Sequence, residues 1–234
     1  MRVLAVSPHL DDAAFSVGGT LAVLADAGHD VTVVTCFTGS VDGPTGFALA
    51  CQTDKGLAPD VDYMALRRAE DRAALAVLGA QALHLPLLEA PHRGYDSAPA
   101  LFAGVLADDL VWQELEQQLR PLQADLLLAP QGLGAHVDHL QVVRAVAALR
   151  RPTAWWRDAP YVLREPDAAP SPDLPEGLIA VTLPADRDRR ADACACYPTQ
   201  LGFQFGGPGP MRAALAGLDE VVLADPLAAA MLRA

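Results

Sequence analysis

The chain has 234 residues, 52% of them hydrophobic, which is enough for one large domain spanning residues 1–234 with a sizeable core. Seventeen basic against 29 acidic residues give a net charge of −12, which argues against an electrostatic hold on nucleic acid or on an anionic membrane. No apolar run approaches the ~20 residues that span a bilayer. Only four apolar residues follow Met1-Arg2, too few for a secretory signal core. The four cysteines (Cys36, Cys51, Cys194 and Cys196) contain no CxxC pair, so reduced thiols and a cytoplasmic location are expected. The spacing of Cys194 and Cys196 is unusual for zinc ligands.

Strand and helix patterns alternate from the start. Val3–Val6 reads as a short buried strand. Val17, Leu21 and Leu24 recur at helical spacing, with Gly28 placed to stop that helix. Val31–Thr35 is β-branched throughout and reads as a second buried strand. Leu66, Ala69, Ala73 and Val77 mark a helix closing at Gly79, and Ala82–Leu85 a third strand. Leu115 and Leu119 lie on a helix that starts near Asp109 and ends before Pro121. Leu126–Ala129 follows as a strand, and Leu140, Val143 and Ala147 as a helix ending before Pro152. Further on, Leu178–Leu183 and Val221–Leu223 read as strands, Asp186–Tyr197 as a helix, and the Pro- and Asp-rich Glu165–Gly177 as a surface loop. This βαβα order predicts an α/β fold: a mostly parallel sheet with helices on both faces. Thr38–Asp60 and Glu89–Gly104 read as long irregular segments at the carboxyl edge of the sheet, where substrate walls or lids form.

Two clusters carry the chemistry. Ser7-Pro8-His9-Leu10-Asp11-Asp12 follows the first strand, and His136-Val137-Asp138-His139 follows the strand at Leu126–Ala129. Strand ends of parallel sheets are where α/β proteins place their sites, so the two clusters predict one site assembled by folding. The spacing of His9 and Asp12 lets both converge on one ion, with Asp11 directed elsewhere and His139 available to complete the set. Two histidines and one carboxylate suit Zn²⁺ with a position left for water, and they suit Fe²⁺ equally. Asp11 is then placed to take a proton from that water. His136, when protonated, can donate to a leaving group or steady an oxyanion, and Asp138 can orient either histidine. An Asp pair after a strand also serves as a helix N-cap.

At these residues the chain resembles the PIG-L/LmbE family of metal-dependent N-deacetylases. His9-Leu10-Asp11-Asp12 is similar to its His-Pro-Asp-Asp signature, and His136-Val137-Asp138-His139 to its later His-x-Asp-His. Gly18-Gly19-Thr20-Leu21-Ala22, Arg67-x-x-Glu70 continuing to Leu78-Gly79, and Ala129–Ala135 extend the likeness over residues 1–150. The resemblance implies a Rossmann-like fold and a zinc site with His9, Asp12 and His139 as ligands. It also implies Asp11 as general base and His136 as assisting acid or oxyanion stabiliser. Its substrates are commonly N-acetylglucosaminyl compounds, and some members cleave other amides. Leu10 stands where the family has proline, which loosens the turn. Ala13 replaces an acidic residue, and Gly134 stands where some members carry a tyrosine.

The expected activity is hydrolysis of an N-acyl group, acetyl above all, from a small amino-sugar conjugate. Arg93, in a loop on the active edge, and Arg67 are candidate substrate contacts, with Arg144 a weaker one. Tyr197, Gln200 and Gln204 are candidate pocket residues. A homo-oligomer is compatible with the sequence. The rivals are an amidase for another N-acyl conjugate, a Mg²⁺-dependent phosphoryl-transfer protein using Asp11-Asp12, a dinucleotide-binding domain and a non-catalytic binding protein. Mg²⁺ prefers oxygen ligands and leaves the histidines without a role. Gly18-Gly19 lies too far from the first strand for a dinucleotide-type phosphate turn.

Overall fold

Alternating short strands and helices build a layered molecule in the computed structural model, which describes residues 1–233. The first half runs β1 (Arg2–Ser7), α1 (Asp12–Asp26), β2 (Asp30–Thr35), α2 (Gly46–Thr53), α3 (Tyr63–Leu78) and β3 (Gln81–His84). Then come α4 (Val111–Leu119), β4 (Leu126–Pro130), α5 (Val137–Leu149) and β5 (Thr153–Trp156). The rest comprises α6 (Tyr161–Arg164), β6 (Ile179–Thr182), α7 (Arg187–Cys194), α8 (Pro198–Phe205), α9 (Pro208–Ala216), β7 (Val221–Ala224) and α10 (Pro226–Met231).

The strands form one sheet in the order β3-β2-β1-β4-β5-β7-β6. The first five in that order pair in parallel, whereas β7 runs antiparallel to both β5 and β6. Side chains alternate across the sheet. Val3 and Ala5 of β1 pack with Phe15 and Leu21 of α1 and Leu75 and Leu78 of α3. Leu4 and Val6 face the other way, onto Leu115 and Leu119 of α4 and Val142 and Val146 of α5. Helices therefore cover both faces, which is why Val3–Val6 of β1 and the whole of β4 are apolar.

Helix α3 shows its ends in its sequence. The Asp62 side chain accepts the Ala65 N–H at 2.9 Å, and Gly79 closes the helix in the left-handed conformation at φ 73°. Helix α1 kinks at Val17, so its second half needs a new cap, and the Glu220 carboxylate accepts from the Gly19 and Thr20 N–H groups at 2.9 and 2.7 Å.

Some elements differ from expectation. The segment Thr38–Asp60, read as irregular, contains α2, and Glu89–Gly104 contains short 3₁₀ turns at Ala90–His92 and Pro99–Phe102. Strand β5 falls where no strand was expected. Asp186–Tyr197 ends earlier as a helix, at Cys194, and Pro198 begins α8.

Candidate metal centre

Strands β1 and β4 pair directly, so the segments leaving their carboxyl ends meet. The turn after β1 is held by Ser7, whose hydroxyl donates to the His9 carbonyl at 2.8 Å and accepts the Ala13 N–H at 3.1 Å. Leu10 is fully buried against Tyr63 and Met64, so packing anchors the turn where proline is missing. Asp11 takes φ 155°, a conformation rare for residues with side chains and concentrated at functional sites.

One ligand atom from each of His9, Asp12 and His139 lies within 4.8 Å of the others. Asp12 Oδ2 is 3.2 Å from His9 Nδ1 and 3.2 Å from His139 Nε2. A carboxylate stands behind each imidazole. Asp138 Oδ2 lies 2.9 Å from His9 Nε2, and Asp158 Oδ1 lies 2.7 Å from His139 Nδ1. Each pairing fixes the ring and directs its other nitrogen toward Asp12. His139 Nε2 is buried with no hydrogen-bond partner, which is what a ligand lone pair awaiting a cation requires. The donor set fits a divalent metal such as zinc.

A second grouping, His9, His136 and Asp138, is also close enough to share an ion. Its members already have partners in the protein. Asp138 Oδ2 accepts the Ala90 N–H at 3.1 Å, its Oδ1 pairs with Arg93 Nη2 at 2.8 Å, and His136 Nδ1 accepts the Asp138 N–H at 3.2 Å. The first grouping is the better site.

Neighbouring carboxyls behave differently here. Burial pushes Asp11 up to about 7, the Asp12 charge adds to the rise, and Arg67, 3.8 Å away, opposes it. Burial acts on Asp12 too, but the charges of His139 and His9 beside it overcome that and hold Asp12 well below the usual range. Burial opposes charge on His9 and His139, yet the carboxylates around them lift His9 well above its ordinary value and His139 to about 9. The field that draws protons to these rings favours a metal cation equally, and metal binding displaces the protons. Burial and the charge of His9 lower His136 to about 3. A neutral His136 that accepts at Nδ1 carries its proton on Nε2.

The candidate arginines all have protein partners. Arg93 binds Asp109 at 2.9 Å and the Leu88 carbonyl at 2.6 Å besides Asp138. Arg67 pairs with Glu89 and lies 3.4 Å from the Leu10 carbonyl. Arg144 pairs with Asp173. Tyr197 donates to Asp71, Gln200 to Tyr63, and Gln204 accepts from Arg164. Cys194 and Cys196 belong to no metal-type cluster among the described residues. Two residues near the histidines were not foreseen from sequence, Asp158 and Tyr161. Tyr161 stands edge-on to His139, with ring centroids 5.4 Å apart. Burial raises its phenol well above the ordinary value, and the Asp12, Asp158 and Asp11 charges push the same way. The sequence signal for Asp158 is an acid just past a strand end, and it is weak because the four residues of β5 show no strand-like alternation.

A centre of two histidines and one carboxylate, at the carboxyl edge of a mostly parallel sheet, defines a metal-site protein of Rossmann-like architecture. Residues 4–149 match the family described as PIG-L: GlcNAc-PI de-N-acetylase, and the chain belongs to that family. The 2'-N-acetylparomamine deacetylase of Streptomyces fradiae is 36% identical over 169 residues, covering 68% of this chain and 57% of that protein. The chain spans about half the length of the curated relatives it matches. Among solved structures, the zinc-inhibited form of teicoplanin deacetylase superposes with a TM-score of 0.80 at 27% identity, covering 96% of this chain and 97% of that one. The deacetylase of the A40926 pseudoaglycone gives 0.78 at 31% identity, covering 95% and 96%. No helix among the described residues is long and apolar enough to cross a membrane.

Proposed function

We propose that this chain is a metal-dependent N-deacetylase that hydrolyses the N-acetyl group of a small amino-sugar or aminocyclitol conjugate. The observation that carries this reading is the convergence of His9, Asp12 and His139 beside the separately buried carboxyl of Asp11. The relatives named as a 2'-N-acetylparomamine deacetylase and a teicoplanin deacetylase support the substrate class.

His9, Asp12 and His139 would hold the zinc. When bound there, zinc supplies a Lewis acid that neutralises developing negative charge and brings the pKa of water down to ~7. Asp11, with its own pKa near 7, accepts a proton from the attacking water and returns it to the nitrogen as the C–N bond breaks. The products are a carboxylic acid and an amine. Neutral His136 acts as an N–H donor toward the acyl oxygen rather than as an acid. Asp138 and Asp158 hold His9 and His139 in orientation. Iron(II) fits the same donors, and metal analysis of the purified protein decides between the two. The free cysteines support a reducing compartment, the cytoplasm.

The test is amine release from a panel of N-acetylated amino sugars and aminocyclitols, with and without exhaustive chelation. Release that stops on chelation and returns with zinc is expected. Release that survives complete metal removal overturns the mechanism, and a metal-loaded protein inert on the whole panel favours a binding role.

A further inference from the structure

Tyr161 and Gly134 compete for one space. A Cβ added at Gly134 would lie 2.6 Å from Cδ1 and 2.8 Å from Cγ of the Tyr161 ring. The loop entering α5 therefore passes the ring at a point where it carries no side chain, and Gly134 takes φ +78° to do so. The ring meets His139 at an interplanar angle of 87°, and Phe102 at a centroid distance of 6.1 Å. Phe102 in turn lies 5.3 Å from the His136 ring. Tyr161 is anchored to the turn that supplies Asp158, because the Val162 N–H donates to the Asp158 carbonyl at 2.9 Å. Its hydroxyl has no hydrogen-bond partner among the described residues, and the anionic groups acting on it are Asp12, Asp158 and Asp11. The ring thus stands against His139, with Phe102 bridging it to His136, in the group of side chains that would surround the reacting acyl carbon.

We propose that Tyr161 is a catalytic residue whose hydroxyl donates a hydrogen bond to the acyl oxygen as negative charge builds on it, an assignment that rests on the hydrolase reading above. No covalent bond to Tyr161 forms, and its proton stays on the phenol. Two donors from different elements then serve one oxygen: the Nε2–H of His136, at the start of α5, and the O–H of Tyr161, at the start of α6. The missing side chain at residue 134 is what lets the second donor reach in from α6.

Tyr161→Phe keeps the ring packing and removes only the donor. In the zinc-loaded enzyme, on a conjugate the parent hydrolyses, kcat should fall on the order of 10²-fold with KM little changed. Inhibition by methylphosphonate, whose tetrahedral anionic oxygens mimic the charged intermediate, should weaken about tenfold. Zinc affinity, measured by competition with a chelating dye, and melting temperature should match the parent. A Phe variant equal to the parent in kcat and in methylphosphonate inhibition overturns the assignment and leaves the hydrolase reading intact. A Phe variant that loses zinc or melts early overturns it in favour of a packing role. A parent inert on every conjugate overturns both together.

Discussion

Asp158 Oδ1 lies 2.7 Å from Nδ1 of His139, and both residues are buried. The other oxygen of Asp158 accepts the Leu133 N–H at 3.0 Å, so the carboxylate ties the loop before α5 to the imidazole at the start of that helix. Asp158→Asn should keep the shape and one acceptor oxygen, so the Leu133 N–H and the His139 Nδ1–H compete for it and the His139 tautomer is no longer fixed. Zinc affinity should fall about 10–100-fold. Turnover should recover in excess zinc. Titration against a chelating dye gives the affinity. A variant with the parent's affinity would mean that Asp158 serves the loop alone.

Asp11 and His136 should separate chemistry from metal binding. Neither belongs to the better ligand set, so Asp11→Asn and His136→Ala should each retain one zinc per chain. On the proposed mechanism, removing the Asp11 carboxylate should cost turnover about 10²–10⁴-fold. Removing the imidazole donor should cost about 10²–10³-fold. His139→Ala, by contrast, should lose the metal. Metal content by elemental analysis, beside kcat, distinguishes the cases.

Arg93 tests positioning against substrate contact. Its guanidinium sits between Asp109 and Asp138, and Asp138 holds His9. Arg93→Ala leaves buried Asp138 without its cation, which should cost about 3–5 kcal/mol of stability. Lysine should not restore it, because a point charge cannot satisfy Asp109, Asp138 and the Leu88 carbonyl together. Urea unfolding reads the loss. A variant that stays as stable as the parent but shows a raised KM would instead make Arg93 a substrate contact.

How far the sequence carried the fold depended on burial. Val3–Val6 was legible because a strand covered on both faces becomes an unbroken apolar run, and Val31–Thr35 because every residue in it is β-branched. The clusters at His9 and His136 were legible because ligand types stand close together at strand ends. Strand β5 was not, since Thr-Ala-Trp-Trp is four residues long and carries no alternation, and with it went Asp158 and Tyr161. The partners of Arg93 were equally hidden. An exposed loop arginine and one held by Asp109 and Asp138 look alike in sequence, and only the fold brings those acids to it.

Glu220 anchors the kinked helix α1. Its carboxylate is fully desolvated, pairs with Arg190 Nη1 at 3.0 Å and caps the Gly19 and Thr20 N–H groups in α1. Glu220→Ala strands a buried guanidinium and two amides and should cost about 3–5 kcal/mol in urea unfolding. Glu220→Gln, which keeps one acceptor oxygen, should cost less. The pH dependence has a definite sign. Burial outweighs Arg190 and raises the Glu220 carboxyl above its ordinary value. A raised carboxyl binds its proton more readily folded than unfolded, so its contribution is fullest below the ordinary glutamate value of ~4.3. The contribution shrinks as pH rises toward the folded value. Glutamine has no proton to lose, so the stability of the parent relative to Glu220→Gln should be greatest at the acid end and narrow as pH rises. A difference that widens with pH would mean that Arg190 and the two amides outweigh burial, and that an ionised Glu220 is what holds the second half of α1 in place.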